Sequence, residues 1–469
     1  MSEFVDLSIK EAGSLLRRRE VSAVELCEAT LERIEATEPV VHAFEYVAAE
    51  GARRDAALAD REIRRGIDKG PLHGIPVNVK DLFYTKDMPS TGSSKTLEGF
   101  VPDFDSTPVT RLRHGGAVLV GKVVGHEFGY GINKPVTRSP WKEGYYPGGS
   151  SAGSGVSVSV RSSYASLGTD TLGSIRVPGS VANIVGLVPT FGRVGRAGVM
   201  PLSFSLDTVG PLTRTVADSA LVLQVIAGFD PADGSSARRP VPNFSDQIGR
   251  SIKGVTVGVD RAYFWHEERV RPYVAEAADR VLEDLKAAGV KVVEFRMAEL
   301  DLVIPAGVKI LVAEAAAMQR RMLRDRIDDY DEPTRTFLRA GELLPATHYL
   351  TAQRVRRVLR DRMRSVFEQY GLDVVVSPTI TDTAVPVEQM MEPGEGGLAP
   401  LFSYIHQTAP TNLTGQPAVS VPAGFVGNYD LPIGVQFFGR PFDEPTLLAV
   451  ADSYERIHRW WDRRPPLTP

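Results

Sequence analysis

Three short stretches hold the residues whose types could perform chemistry. "GIPVNVK" ends on Lys80, "PGGSSAGSG" (147–155) sets Ser150 and Ser151 among small uncharged residues, and "GTDTLGSIRVPG" (168–179) places Ser174 directly behind Gly173. A serine hydroxyl attacks an acyl carbon only once a base takes its proton. Where a tight turn opens a helix, a serine also stands beside backbone N–H groups that have no helical partner, and such groups stabilise an oxyanion. The plainer role for Ser174 is a helix N-cap.

The base is the harder question. Eight histidines are scattered, "HEFGY" at His126 lacks the second histidine four positions on that a helical zinc site needs, and no G-x-S-x-G elbow opens a Ser-His-Asp triad. Lys80 is the remaining candidate. In an extended strand Ile75, Val77 and Val79 face one side while Asn78 and Lys80 face the other. To act as a base the amine must be neutral, and burial lowers a lysine pKa by up to about 3 to 5 units from about 10.4, a drop of about 3 units costing roughly 4 kcal/mol. Otherwise it is a solvated charge at a strand end. Ser150 and Ser151 could relay the proton, and the glycines beside them give the backbone the freedom for an unusual conformation. Two other readings compete for the glycine loop. Phosphate binding fails because no lysine follows the last glycine and no G-x-G-x-x-G opens a helix. A slack linker stays open on that stretch alone.

These residues need a frame. Ser8 and Ser22 begin Ser-x-x-Glu capping boxes, and after the second, Ala23, Leu26, Cys27, Thr30, Leu31 and Ile34 share one helical face. From Pro71, β-branched runs separated by glycine alternate with helical stretches, and "GVTVGVD", "YVAEAADRVLEDLKAAG" and "VKVVEF" read as strand, helix and strand. The pattern is α/β, a mixed sheet covered by helices. Residues from about 303 to 370 read as an outer helical layer broken at Pro333 and Pro345, and "VSVSVRSSYA" (156–165) alternates like a strand. A net charge of −4 excludes an electrostatic grip on nucleic acid or an anionic membrane. Cys27 is the single cysteine, which rules out an intrachain disulfide and a thiolate metal cluster, and its place on the apolar helix face predicts a core residue. The N-terminus lacks the shape of a secretory signal and no apolar run is long enough to span a bilayer, so the expected location is cytoplasmic.

"GIPVNVKD", "PGGSSAGSG" and "GTDTLGSIRVPG", in that order, together with the tail "TNLTGQPAVSVPAGF…LPIGVQFFGRPFDEPTLLAVADSYE", resemble the amidase signature family. The resemblance runs from the N-terminal helices to about Glu455. It implies one large α/β domain over 1–469, a mixed sheet sandwiched between layers of helices, and a variable helical region, about 300–370, over the substrate site. It further implies a Ser–cis-Ser–Lys triad that hydrolyses amide-type bonds without metal or organic cofactor. By position Ser174 matches the nucleophile, Ser150 behind Gly149 matches the serine whose peptide bond is cis, and Lys80 matches the lysine. The N–H groups of Thr171, Leu172, Gly173 and Ser174 would line the oxyanion hole, with Asp170, Arg176 and Ser151 as supports and Tyr130 and Gly131 near the substrate. Leu172 and Ala152 stand where the family usually has glycine, and the family has a helix where 156–165 alternates; the family pattern is followed there.

The expected partner is a small-molecule amide or carbamate, with no nucleic acid and no membrane, in a monomer or homodimer. Leu172, Phe402, Tyr404 and Ile405 suggest an apolar substrate, an aryl amide or a urethane. Two alternatives stand beside this reading: a glutaminase-type subunit of a tRNA-dependent amidotransferase, from which the segment "GHEFGYGINKP" leans away, and a catalytically silent anion-binding protein.

Overall fold

The β-branched runs form one sheet. Its strands are β1 (Phe44–Val47), β2 (Pro76–Lys80), β3 (Val118–Val123), β4 (Ala165–Asp170), β5 (Val185–Val188), β6 (Thr208–Thr213), β7 (Thr256–Val259), β8 (Lys291–Glu294), β9 (Val374–Pro378), β10 (Ala418–Val426) and β11 (Leu431–Gly439). The spatial order is β1-β3-β2-β4-β6-β5-β10-β11-β9-β7-β8. The sheet is mixed: β2 runs parallel to β3 and β4, and β7 to β8 and β9, while β10 and β11 are antiparallel to each other and to their outer neighbours β5 and β9. This computed structural model describes residues 3–130, 134–391, 399–426 and 430–467.

Side-chain alternation builds a core on each face of the sheet. Val374, Val376, Val419, Val421 and Phe437 join helical residues such as Leu26, Leu223, Leu282 and Leu448 on one side. Their immediate neighbours Val375, Ala418 and Phe438 join Val303, Ile310, Leu359 and Leu413 on the other. Helices therefore cover both faces, and truncating a fully buried residue such as Phe437 to alanine would cost about 3 to 5 kcal/mol.

Both capping boxes form. Ser8 Oγ accepts the Glu11 N–H at 3.2 Å while Glu11 accepts the Ser8 N–H at 2.8 Å, and Ser22 and Glu25 repeat the exchange at 3.1 and 2.8 Å. Cys27 is fully buried, and burial pushes its thiol up to about 12, so it behaves as a core residue. The outer helical stretch is Val303–Asp325, Glu332–Leu343 and Ala346–Tyr370, with Pro333 in a first turn and Pro345 just before a helix. Among the described residues no helix is long and apolar enough to cross a membrane.

The strand-like pattern of 156–165 is resolved differently. Ala152–Ser159 is a helix and β4 begins only at Ala165. Residues two apart on a helix differ by about 200° and so face opposite sides. Val156 and Val160 pack with Val41 and Ala43, whereas Val158 packs with Ile175 and Ile184. A helix buried all round thus reproduces the period of a strand.

Candidate active site

The parallel pair β2 and β4 brings the site together, because Val79 stands opposite Leu167 and the end of β2 at Lys80 therefore lies level with Gly168, two residues before β4 ends at Asp170. Alternation in β2 sends Val77 and Val79 into the core and Asn78 and Lys80 toward the Ala152–Ser159 helix, where Asn78 Nδ2 donates to Ser157 Oγ at 3.1 Å. Lys80 is 0% exposed, so it is no solvated strand-end charge. Its Nζ donates to Ser150 Oγ at 2.8 Å and to Thr169 Oγ1 at 3.1 Å. Burial lowers its pKa to about 7 against the opposing pull of Asp207 and Asp170. The amine fits because residue 125 is glycine: a Cβ there would lie 2.8 Å from Lys80 Cε.

The glycine loop is ordered rather than slack. The Gly149–Ser150 peptide is cis. Ser151 Oγ donates to the Thr169 carbonyl at 3.2 Å, and the Ser151 N–H donates to the Ser174 carbonyl at 3.3 Å, so the loop is tied both to β4 and to the segment that follows it.

That segment, 171–175, turns from β4 into the helix Arg176–Val181. Gly173 has φ 142°, and a Cβ on it would lie 2.4 Å from Thr408 Oγ1, which donates to the Leu172 carbonyl at 2.5 Å. Beneath the turn, Asp170 and Arg176 form a buried ion pair with Nη2–Oδ1 at 2.9 Å and Nε–Oδ2 at 3.2 Å. Burial opposes the Asp170 charge, but the Arg176 guanidinium, the Ile175 N–H and the Asn412 amide outweigh it and hold the carboxyl below its usual range. Arg176 also donates to the Thr408 carbonyl, Thr411 Oγ1, Asn412 Oδ1 and Gln436 Oε1 at 2.6 to 3.0 Å.

Ser174 is the partly exposed member of this group, and its hydroxyl has no hydrogen-bond partner among the described residues. The N–H groups of Thr171, Leu172, Gly173 and Ser174 likewise donate to nothing among the described residues. Four free donors thus flank a hydroxyl, the local requirement for holding a developing oxyanion.

Leu172 turns out to be 4% exposed and packs toward the Val303–Asp325 helix, where a Cβ on Gly307 would lie 3.4 Å from its Cδ2. Tyr130 belongs to the same apolar cluster and meets Phe337 edge-on at 5.3 Å; burial pushes its phenol well above the usual range. Gly131 and the Phe402 side chain lie outside the described residues. Ile405 packs on the cluster that holds Leu172, and Tyr404 packs edge-on against Tyr146 at 5.7 Å.

A cavity of about 800 Å³ is walled by Tyr263, Arg269, Ile304, Asp382, Tyr404 and His406. Three walls adjoin the loops just described. Ile304 lies one helical turn before Gly307, His406 lies two residues before Thr408, and Tyr404 packs on Tyr146, whose hydroxyl would be 2.5 Å from a Cβ on Gly149.

Thr169, Asp207, Thr408, Asn412 and Gln436 escaped the sequence reading. Asn412 and Gln436 lie inside the tail stretches quoted above, but nothing local marks them as partners of Arg176. Among the described residues no group of three or more His, Cys, Asp and Glu side chains is placed to hold a metal ion.

Sheet, loops and site together make an α/β protein that gathers a buried amine, serine hydroxyls and unpaired backbone donors at one end of β2 and β4, and comparison with known proteins gives its kinship. A family model described as Amidase matches residues 25–448. An amidase from Pseudomonas putida is 41% identical over 100% of this chain and 99% of its own. A glutamyl-tRNA(Gln) amidotransferase subunit from Chloroflexus aggregans is 37% identical over 100% of this chain and 99% of its own. The crystal structure of the native peptide amidase from Stenotrophomonas maltophilia superposes with a TM-score of 0.86 at 29% identity, covering 99% of each chain. The chain belongs to the amidase family.

Proposed function

We propose that Ser174 is the nucleophile of an amidohydrolase and that Lys80 is its base, acting through Ser150. The observation that carries this is the buried amine with a pKa of about 7, 2.8 Å from Ser150 Oγ, at the base of a turn that leaves Ser174 and four N–H groups free. In the first half-reaction the Ser174 hydroxyl, unpaired among the described residues, turns to donate to Ser150; its proton passes to Ser150 and the Ser150 proton to Lys80, while Ser174 Oγ bonds to the substrate carbonyl carbon. The carbonyl π pair moves onto oxygen and is held by the N–H groups of residues 171–174. Its return breaks the C–N bond, and the leaving nitrogen takes a proton from Lys80 by the same relay. Water repeats the sequence against the acyl-enzyme and regenerates Ser174. Asp170 and Arg176 brace the turn, Gly149 and Ser151 fix the relay serine, and Tyr130 borders the substrate.

The proposed substrate is a small apolar amide, an aryl amide or a carbamate, supported by the apolar cluster of Leu172, Tyr130 and Phe337 that joins the turn to the outer helices. In this reading the chain works as one unit with residues 300–370 over the substrate, as a monomer or homodimer without nucleic acid or membrane. Its unpaired buried cysteine suits the cytoplasm. The test is a panel of p-nitroanilides, primary amides, esters and aryl carbamates assayed with wild type and Ser174→Ala. Loss of all turnover with Ser174→Ala is expected; retained turnover defeats the assignment.

The likeness to an amidotransferase component supports a second reading, in which glutamine is hydrolysed for a partner chain. Hydrolysis of apolar amides by the isolated protein without preference for glutamine rejects it. Labelling of Ser174 by a fluorophosphonate rejects a silent anion binder.

A further inference from the structure

A second buried carboxylate touches the turn and has no place in the proton relay. Asp207 stands one residue before β6, which pairs with β4, and is 7% exposed. Its Oδ1 accepts the Thr171 hydroxyl at 2.6 Å, and its two oxygens accept the N–H groups of Leu202 and Ser203 at 2.9 to 3.1 Å. Ser203 donates its own hydroxyl at 2.6 Å to Glu314, a 2% exposed residue of the Val303–Asp325 helix. Glu314 also accepts the Ser205 N–H and hydroxyl and the Tyr349 hydroxyl at 2.7 to 3.0 Å. One line of charge-assisted hydrogen bonds therefore joins the outer helices to the first residue of the anion-holding turn.

We infer that Asp207 is a positioning residue: by gripping Thr171 it aims the free N–H groups of residues 171–174, and through Ser203 and Glu314 it ties that aim to the helical layer over the site. The inference rests on the reading of Ser174 as nucleophile. Asp170 grips the far end of the same turn through the Ile175 and Arg176 N–H groups at 3.0 and 3.4 Å, so the turn is clamped by a carboxylate at each end.

The two carboxylates differ electrically. Asp170 is paired with Arg176, whereas Arg196 donates to the Asp207 main-chain carbonyl at 2.7 Å and pairs its guanidinium with Asp233. Burial pushes the Asp207 carboxyl up against the opposing charge of Arg196 and the Thr171 hydrogen bond, and among the charges around Lys80, Asp207 is the strongest influence holding the ammonium in its charged form, ahead of Asp170. The segment after β3 meets Lys80 at Gly125; of the titratable residues that follow, His126 lies against Gly149 and Glu127 accepts the Ser94 hydroxyl at 2.6 Å.

The test compares Asp207→Asn, Thr171→Val and Thr171→Ser with wild type on a p-nitroanilide that Ser174 turns over, over pH 5 to 9. Misaimed donors are expected to lower kcat by about 10- to 100-fold in Asp207→Asn and Thr171→Val with KM little changed. Thr171→Ser keeps the hydroxyl and is expected to restore most of kcat. Asp207→Asn alone is expected to move the acid limb of kcat/KM below pH 7, since Thr171→Val leaves the carboxylate in place. If Ser174→Ala abolishes turnover while Asp207→Asn and Thr171→Val keep kcat within twofold and the limb unmoved, the inference falls and the nucleophile assignment stands. If Asp207→Asn fails to fold, the two Thr171 variants decide: equal kcat in both overturns the inference. Turnover retained by Ser174→Ala strikes the nucleophile assignment itself.

Discussion

Replacing Lys80 with methionine should stabilise the protein in a way that depends on pH. The Nζ lies out of water between two hydroxyls, and its pKa falls from 10.5 to about 7, chiefly through burial. Between those values the unfolded chain binds a proton that the folded chain does not, so wild-type stability rises with pH there and is lowest below pH 7, where the folded protein must hold a buried charge. The gap is worth about 5 kcal/mol at pH 6 and about 2 kcal/mol at pH 9. Methionine has no proton to bind and carries no such term, although it gives up two hydrogen bonds worth about 1 kcal/mol each at every pH. The stability of Lys80→Met minus that of wild type should therefore fall by about 3 kcal/mol between pH 6 and pH 9. Urea unfolding of both proteins across that range measures it, and taking the difference cancels the titrating groups that do not interact with Lys80. A flat difference would mean that Lys80 titrates as an ordinary lysine, and would remove the neutral base from the mechanism. If Lys80 is the base as proposed, kcat/KM should rise through about pH 7 and lie about tenfold below its plateau at pH 6.

Arg176→Leu strips the partner from a fully buried Asp170, and urea unfolding should register a loss of about 3 to 5 kcal/mol. Asp170→Asn added to it should recover part of that loss; no recovery would show that packing, not the stranded charge, sets the cost. Gly173→Ala forces a Cβ to within 2.4 Å of Thr408 Oγ1 at φ 142°, so fluorophosphonate labelling of the residue-173 variant should fall at least about tenfold against wild type. Equal labelling would show that the turn tolerates a side chain there.

How far the sequence shows this depends on the range over which each determinant acts. Both capping boxes, the buried face of Ala23–Val41 and the facing of Lys80 away from Val77 and Val79 follow from local patterns in the sequence, and all appear in the structure. The helix at 152–159 is disguised in the sequence because its valines, two apart, serve two different cores. Thr169 and Asp207 are hidden for another reason. Each matters only because β4 lies between β2 and β6, and that pairing depends on crossovers no local pattern encodes.

The C-terminal segment carries none of the groups to which chemistry is proposed, yet it holds the turn at 171–175 in place. Arg176 sends donors to Thr408, Thr411, Asn412 and Gln436, which are 232 to 260 residues away. Asn412 returns a bond to Asp170 Oδ1 at 2.8 Å, and Thr408 fixes the Leu172 carbonyl. Removing a partner from a buried charge is strongly destabilising, so the shape of the turn depends on the helix Ala409–Thr414 and on β11 being in place. Every acceptor of Arg176 outside its own loop comes from that late segment. The placement of Ser174 therefore depends on the C-terminal segment, as well as on its neighbours in sequence.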